Sequence, residues 1–132
     1  MLIDMNETGE KIKHGRKREV LFAVAFFSWI ILIFIFSSIP GSSTPALPNG
    51  TDKIVHFLEY TILGILAIQT FKVKSIVVWL PGFLIPVLDE FYQSFTPGRY
   101  ADVYDVIADI LGYMTVLFFY RFRFQSKTTK EY

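Results

Sequence analysis

The side chains of this sequence that could do chemistry are few and ordered. Asp52, Lys53, His56 and Tyr60 fall in one segment; Asp89, Glu90, Gln93, Arg99, Asp102, Asp105 and Asp109 fall in another. Asp52, His56 and Tyr60 recur every four residues, and Asp102, Asp105 and Asp109 at steps of three and four. Each set therefore lies along one face of a helix. An imidazole one turn from a carboxylate can work as a general acid or base. Neighbouring carboxylates can hold a hard divalent cation such as Mg²⁺ or Ca²⁺. A guanidinium can clamp a carboxylate or phosphate through two parallel hydrogen bonds. On this pattern His56, Asp89, Glu90 and Asp105 are the candidate catalytic residues. Lys53, Tyr60, Gln93, Arg99, Asp102 and Asp109 are the candidate substrate contacts. The spacing by itself assigns no metal-ligand set.

The elements that must position these residues are apolar. Of 132 residues, 52% are hydrophobic and 17% aromatic; only 19% are charged, and the formal net charge is +1. Mean hydropathy is +0.42. A disordered chain would be more polar. A disulfide scaffold or Cys-rich zinc module would need cysteine, and there is none. A nucleic-acid binder would carry a basic excess.

Val20 to Pro40 holds no charged residue and reads as a membrane span, with Arg16, Lys17 and Arg18 before it and Pro40-Gly41 ending it. It is longer than a signal-peptide core and lacks a clear cleavage site, so a retained anchor is expected. Ile54 to Phe71, Ser75 to Leu88 and Val103 to Tyr120 are shorter apolar runs, each with its acids at one end. Pro81-Gly82 and Pro86 predict an interrupted, kinked third helix. Gly64 and Gly112 predict close helix packing. The sequon Asn49-Gly50-Thr51 is discounted in so short a loop.

The expected fold is an all-α membrane protein: a four-helix transmembrane bundle over residues 20–124, between a basic tail (1–19) and a short tail (125–132). The positive-inside rule sets the orientation. With both termini cytoplasmic (N-in/C-in), the N-terminal tail, the Lys72–Lys74 turn and the segment from Arg121 to the C-terminus hold every Lys and Arg except Lys53 and Arg99. The opposite side then carries Asp52, Glu59, Asp89, Glu90, Asp102, Asp105 and Asp109. Counted by helix rise from Lys72, Lys74 and Arg121, the residues Glu59, Asp89 and Asp109 lie about 20 Å above the inner boundary, within the outer leaflet. Ionised carboxylates at that depth must face one another or a wet cavity.

Asp52-Lys53-x-x-His56-x-x-x-Tyr60 is followed by Asp89-Glu90-x-x-Gln93-x-Phe95-x-Pro97-x-Arg99-x-x-Asp102-x-x-Asp105-x-x-x-Asp109-x-x-Gly112. This order, with Ser37-Ser38-Ile39-Pro40-Gly41 at the end of the first span, resembles the VanZ-like family. Asp109 departs from that pattern, where Asn is more frequent, and makes the site more acidic. The resemblance implies a small multi-pass protein of the bacterial inner (plasma) membrane, with membrane lipids as its surroundings. The family's namesake is linked to resistance to teicoplanin-type glycopeptides.

The residues fit three readings. In the first, the site binds an anionic lipid-linked or cell-wall precursor head group through Lys53 and Arg99. In the second, an intramembrane enzyme acts on a lipid phosphate or related head group. There His56 is the acid or base, Asp105 and Asp109 are base or metal residues, and Arg99 stabilises developing charge. In the third, the acids lock the bundle or relay protons; the missing polar path on the cytoplasmic side argues against the relay.

Overall fold

The computed structural model describes residues 5–44, 48, 50–71 and 75–128, with side chains from residue 9 to residue 123. Lys72–Lys74, on which part of the charge asymmetry rests, and Asn49 of the sequon lie outside the described residues. The fold is all-helical: α1 (Met5–Ser37), α2 (Thr51–Thr70), α3 (Pro81–Gln93) and α4 (Val103–Thr128), with short 3-10 turns at Gly41–Ser43 and Ile76–Val78. There is no strand among the described residues.

The first helix does not begin at the apolar run. It starts at Met5, and its basic segment continues the same helix with Arg16, Lys17 and Arg18 exposed. Glu, Lys and Arg are good helix formers, and Arg18 stacks over Phe22 one turn ahead, 5.6 Å from the ring centre. Two serines end it: Ser37 and Ser38 turn their hydroxyls back onto the carbonyls of Ile33 (3.0 Å) and Phe34 (2.7 Å), and Pro40 cannot extend the ladder.

The third element differs from the expected single kinked helix. Residues 75–80 form a capped 3-10 turn, with the Ser75 hydroxyl accepting the Val77 amide. Pro81 then starts α3 rather than interrupting it, because a helix's first residue has no use for an amide hydrogen. Among the described residues only Pro86 lies in a helix interior.

The residues Gly9–Ser37, Ile76–Gln93 and Val103–Arg123 are long and apolar enough to cross a membrane. Helix α2 has the length but carries Asp52, Lys53, His56 and Glu59 in its first half. Its main contacts are with α1 and α4, while α3 packs on α1 and α4, closing a ring in the order α1, α2, α4, α3. Phe26, Ile33, Tyr60, Leu63, Ala67, Val78, Tyr113, Met114 and Leu117 form the interior. Phe27, Ile31, Val87, Phe91, Leu111 and Phe119 stay exposed around the outside, as lipid-facing side chains do. Between lipid-solvated helices the gain comes from close packing and polar contacts rather than from water release. Gly112 shows this: a Cβ there would sit 2.2 Å from the Phe57 carbonyl oxygen, so α2 and α4 meet backbone to backbone.

Candidate functional site

The ring brings four helix termini to one end of the bundle: the last turns of α1 and α3 and the first turns of α2 and α4. Each polar residue of the sequence motifs sits on one of them or on the loops between.

Helix α2 presents Lys53, His56 and Tyr60 toward α4. The Lys53 ammonium donates to three carboxylates: Asp52 at 3.0 Å, Asp102 at 2.8 Å and Asp105 at 2.8 Å. Its charge is spent on cross-linking α2 to the start of α4. Lys53 also holds the half-buried Asp102 carboxylate below its ordinary pKa, helped by the Tyr104 amide at 2.9 Å. Asp102 thereby caps α4 while tied to α2.

One turn deeper lies a buried trio. His56 Nδ1 is 3.0 Å from Asp109 Oδ1, and His56 Nε2 is 3.9 Å from Asp105 Oδ2. The imidazole thus stands between two acids of α4. Asp89 comes from α3, and one ligand atom from each of His56, Asp89 and Asp109 lies within 4.8 Å of the other two. Asp109 has no exposed surface and Asp89 only 1%. Asp109 Oδ2 has no hydrogen-bond partner. The Tyr60 hydroxyl, also buried, lies near Asp89 without a well-aligned hydrogen bond.

Helix α1 and the α3–α4 loop close the site. Ser37 donates to Asp89 Oδ1. Gln93 Nε2 lies 3.3 Å from the Ser37 hydroxyl and 3.5 Å from Asp89 Oδ2. Glu90 accepts the Asp102 amide and so pins the loop to α3; its other oxygen is buried and unpartnered. Thr96-Pro97-Gly98-Arg99 is the expected turn: the Arg99 amide donates to Thr96 O at 3.1 Å, and Gly98 adopts φ 73°. The turn packs on the end of α1, where the Gly41 amide donates to Pro97 O at 3.0 Å.

Arg99 is therefore aimed across the ends of α1 and α3. Its guanidinium donates to the Ile39 carbonyl (3.2 Å), the Phe36 carbonyl (3.4 Å) and Gln93 Oε1 (3.4 Å). All three acceptors are neutral, and no carboxylate lies within ion-pair distance among the described residues.

The motif residues separate into two groups. His56, Tyr60, Asp89, Gln93, Asp105 and Asp109 come together in the interior. Lys53, Asp102, Glu90 and Arg99 surround them, the first three in structural bonds. Sequence reasoning missed Ser37 as a site residue and Trp29, whose indole donates to the Glu59 carbonyl at 3.0 Å. The signal for Ser37 was its place at the polar end of the first span, on the face of buried Ile33 and Phe26.

Chemically, the arrangement can exchange a proton between imidazole and carboxylate, concentrate negative charge in an apolar setting, and offer one guanidinium to an anion. No curated protein and no solved structure matches the chain. Residues 21–124 match the VanZ/LLP1 family. That span takes in the apolar half of α1, all of α2 and α3, most of α4 and every residue of the polar site, so the chain belongs to the VanZ/LLP1 family.

Proposed function

We propose that the protein is a multi-pass protein of the bacterial plasma membrane, with both termini cytoplasmic, that receives an anionic lipid-linked or cell-wall precursor head group at the polar end of its bundle. In this reading it contributes to tolerance of teicoplanin-type glycopeptides. The basic residues on the opposite end of α1 and in the C-terminal segment support that orientation.

The observation that carries the reading is Arg99. It is half-buried, held by neutral acceptors, and free of any carboxylate at ion-pair distance among the described residues. A guanidinium so placed keeps its charge for an incoming phosphate or carboxylate. Lys53 serves a different purpose, since three carboxylates already share its ammonium. Arg99 is thus the anion contact and Lys53 the compensating charge.

The test is binding of a polyprenyl phosphate to the full chain in nanodiscs, with teicoplanin susceptibility of expressing cells measured alongside. Arg99→Gln should lose both phosphate binding and tolerance. Unchanged binding and susceptibility in that variant would end the proposal.

The His56–Asp109 contact favours a second reading, catalysis on the same head group. There His56 transfers the proton, Asp105 and Asp109 set its charge, and Arg99 stabilises the developing anion. Turnover of a lipid phosphate that survives His56→Ala, Asp89→Asn and Asp105→Asn together would exclude it.

A further inference from the structure

We propose that His56, Asp89 and Asp109 bind a divalent transition-metal cation of the Zn²⁺ or Mn²⁺ class. One nitrogen and two carboxylate donors suit such cations better than Mg²⁺ or Ca²⁺, which take oxygen ligands.

Three observations support the site. The first is distance. The donor atoms lie within 4.8 Å of one another, and the closest pair, His56 Nδ1 and Asp109 Oδ1, is 3.0 Å apart. Cations with bonds of about 2.0–2.2 Å hold neighbouring ligand atoms about 2.8–3.1 Å apart in octahedral and about 3.3–3.6 Å apart in tetrahedral geometry. The His56–Asp109 pair already spans an edge of that size, with a donor atom of Asp89 within 4.8 Å of both.

The second is an unsatisfied donor. Asp109 is completely buried, yet its Oδ2 has no hydrogen-bond partner. A buried carboxylate oxygen is normally paired.

The third is the surrounding shell. With Nδ1 as ligand, Nε2 of His56 faces Asp105, which Lys53 holds in place at 2.8 Å. At 3.9 Å this pair is longer than a hydrogen bond, and its closing on metal binding would complete the carboxylate–histidine–metal arrangement that orients a metal-binding imidazole. Ser37 and Gln93 orient Asp89 in the same way. Lys53 spends its charge on Asp52, Asp102 and Asp105, so no lysine or arginine reaches Asp89 or Asp109 among the described residues. A divalent cation would balance both.

The site stands apart from the head-group reading and is tested separately. Full-length protein in nanodiscs is stripped with a chelator, then titrated with Zn²⁺, Mn²⁺, Mg²⁺ and Ca²⁺ by calorimetry. Mn²⁺-loaded samples are examined by pulsed electron paramagnetic resonance for coupling to an imidazole nitrogen. One equivalent of Zn²⁺ or Mn²⁺ is expected, with nitrogen coupling that disappears in His56→Ala. Asp105→Asn should weaken binding about 10–100-fold, and Asp109→Asn by more than that. Asp109→Asn preserves volume, and its helicity by circular dichroism shows whether it folds. Arg99→Gln should lose the head group but keep the metal. No uptake of Zn²⁺ or Mn²⁺ overturns the proposal. So does uptake unchanged in a folded Asp109→Asn, or an infrared signature of a protonated carboxyl in the metal-treated protein that Asp109→Asn removes.

Discussion

His56 on α2 and Asp109 on α4 meet at 3.0 Å within the α2–α4 interface, and both side chains are buried. The contact couples the fold to the site. Removing the imidazole leaves a carboxylate buried beside Asp89. His56→Ala should cost about 3–5 kcal/mol, the usual penalty for breaking a buried charged pair. Asp109→Asn, which keeps a hydrogen-bonding group of the same size, should cost clearly less. Reversible unfolding in mixed micelles would show the ordering, and equal losses would mean that the carboxylate left without its imidazole carries no extra penalty.

Much of this site was legible because helix periodicity is a hard geometric constraint. The steps from Asp52 to His56 to Tyr60 and from Asp102 to Asp105 to Asp109 predict shared faces, and Lys53, His56, Asp105 and Asp109 do meet across α2 and α4. The cost of lone carboxylates in lipid predicts that Asp89 joins them, and it does. What spacing could not show was which charges were already committed. Lys53 and Arg99 look alike in sequence, yet one is surrounded by acids and the other by carbonyls. That difference depends on the path of the α3–α4 loop. Ser37 stayed hidden for another reason: a serine ending an apolar helix usually bonds only to its own backbone. Ser37 does this with Ile33 and reaches Asp89 as well. Pro81 was misplaced because a proline within an apolar run reads as a break until the helix start is known.

The closeness of α2 and α4 makes Gly112 the tightest glycine between those two helices. A methyl group there meets the Phe57 carbonyl carbon at 3.0 Å and its oxygen at 2.2 Å, both backbone. Gly112→Ala should destabilise by about 1–3 kcal/mol, as overpacking does, and weaken the His56–Asp109 contact one turn away. Gly64→Ala meets its neighbours at 3.1–3.3 Å, two of them on the Val116 side chain, and should cost less. Thermal unfolding in detergent ranks the two, and a smaller loss at Gly112 would refute the backbone-contact argument.

Asp102 gives a pH dependence with a definite sign. Its folded pKa lies below the ordinary 3.8, because Lys53 and the Tyr104 amide favour the carboxylate. The link it makes is therefore present above pH 3.8 and is lost as pH falls through the depressed value. Lys53→Met should bring the Asp102 titration back toward 3.8. Carbon-detected magnetic resonance of the Asp102 carboxyl would follow this directly; a titration unmoved by Lys53→Met would show that the helix terminus, not the ammonium, sets it.

The absence of native cysteine makes the orientation measurable with single substitutions. Tyr100 is 89% exposed in the α3–α4 loop, and Arg16 is exposed on the basic part of α1. Tyr100→Cys should react with an impermeant maleimide added to intact spheroplasts, and Arg16→Cys only after the membrane is opened. The reverse pattern would invert the proposed topology and put the polar site on the cytoplasmic face.

The position of Arg99 depends on two glycines that touch across the site. Gly98 holds φ 73°, a conformation that strains any residue with a Cβ, and a Cβ on Gly41 would lie 2.0 Å from the Gly98 carbonyl oxygen. Gly41→Ala must therefore push the Thr96–Arg99 turn away from the end of α1. That shift breaks the Gly41–Pro97 bond and draws the guanidinium from the Ile39 and Phe36 carbonyls. The buried trio lies deeper, and Ser37 and Gln93, which hold Asp89, link it to the turn through Thr96 and Arg99. Gly41→Ala should thus lower polyprenyl-phosphate binding about 10-fold, the equivalent of roughly 1.4 kcal/mol, together with a loss of stability of about 1–3 kcal/mol from the backbone clash. Paired binding and unfolding measurements decide it. If stability falls while binding holds, the glycine contact serves the fold and Arg99 is not positioned for an anion by this turn.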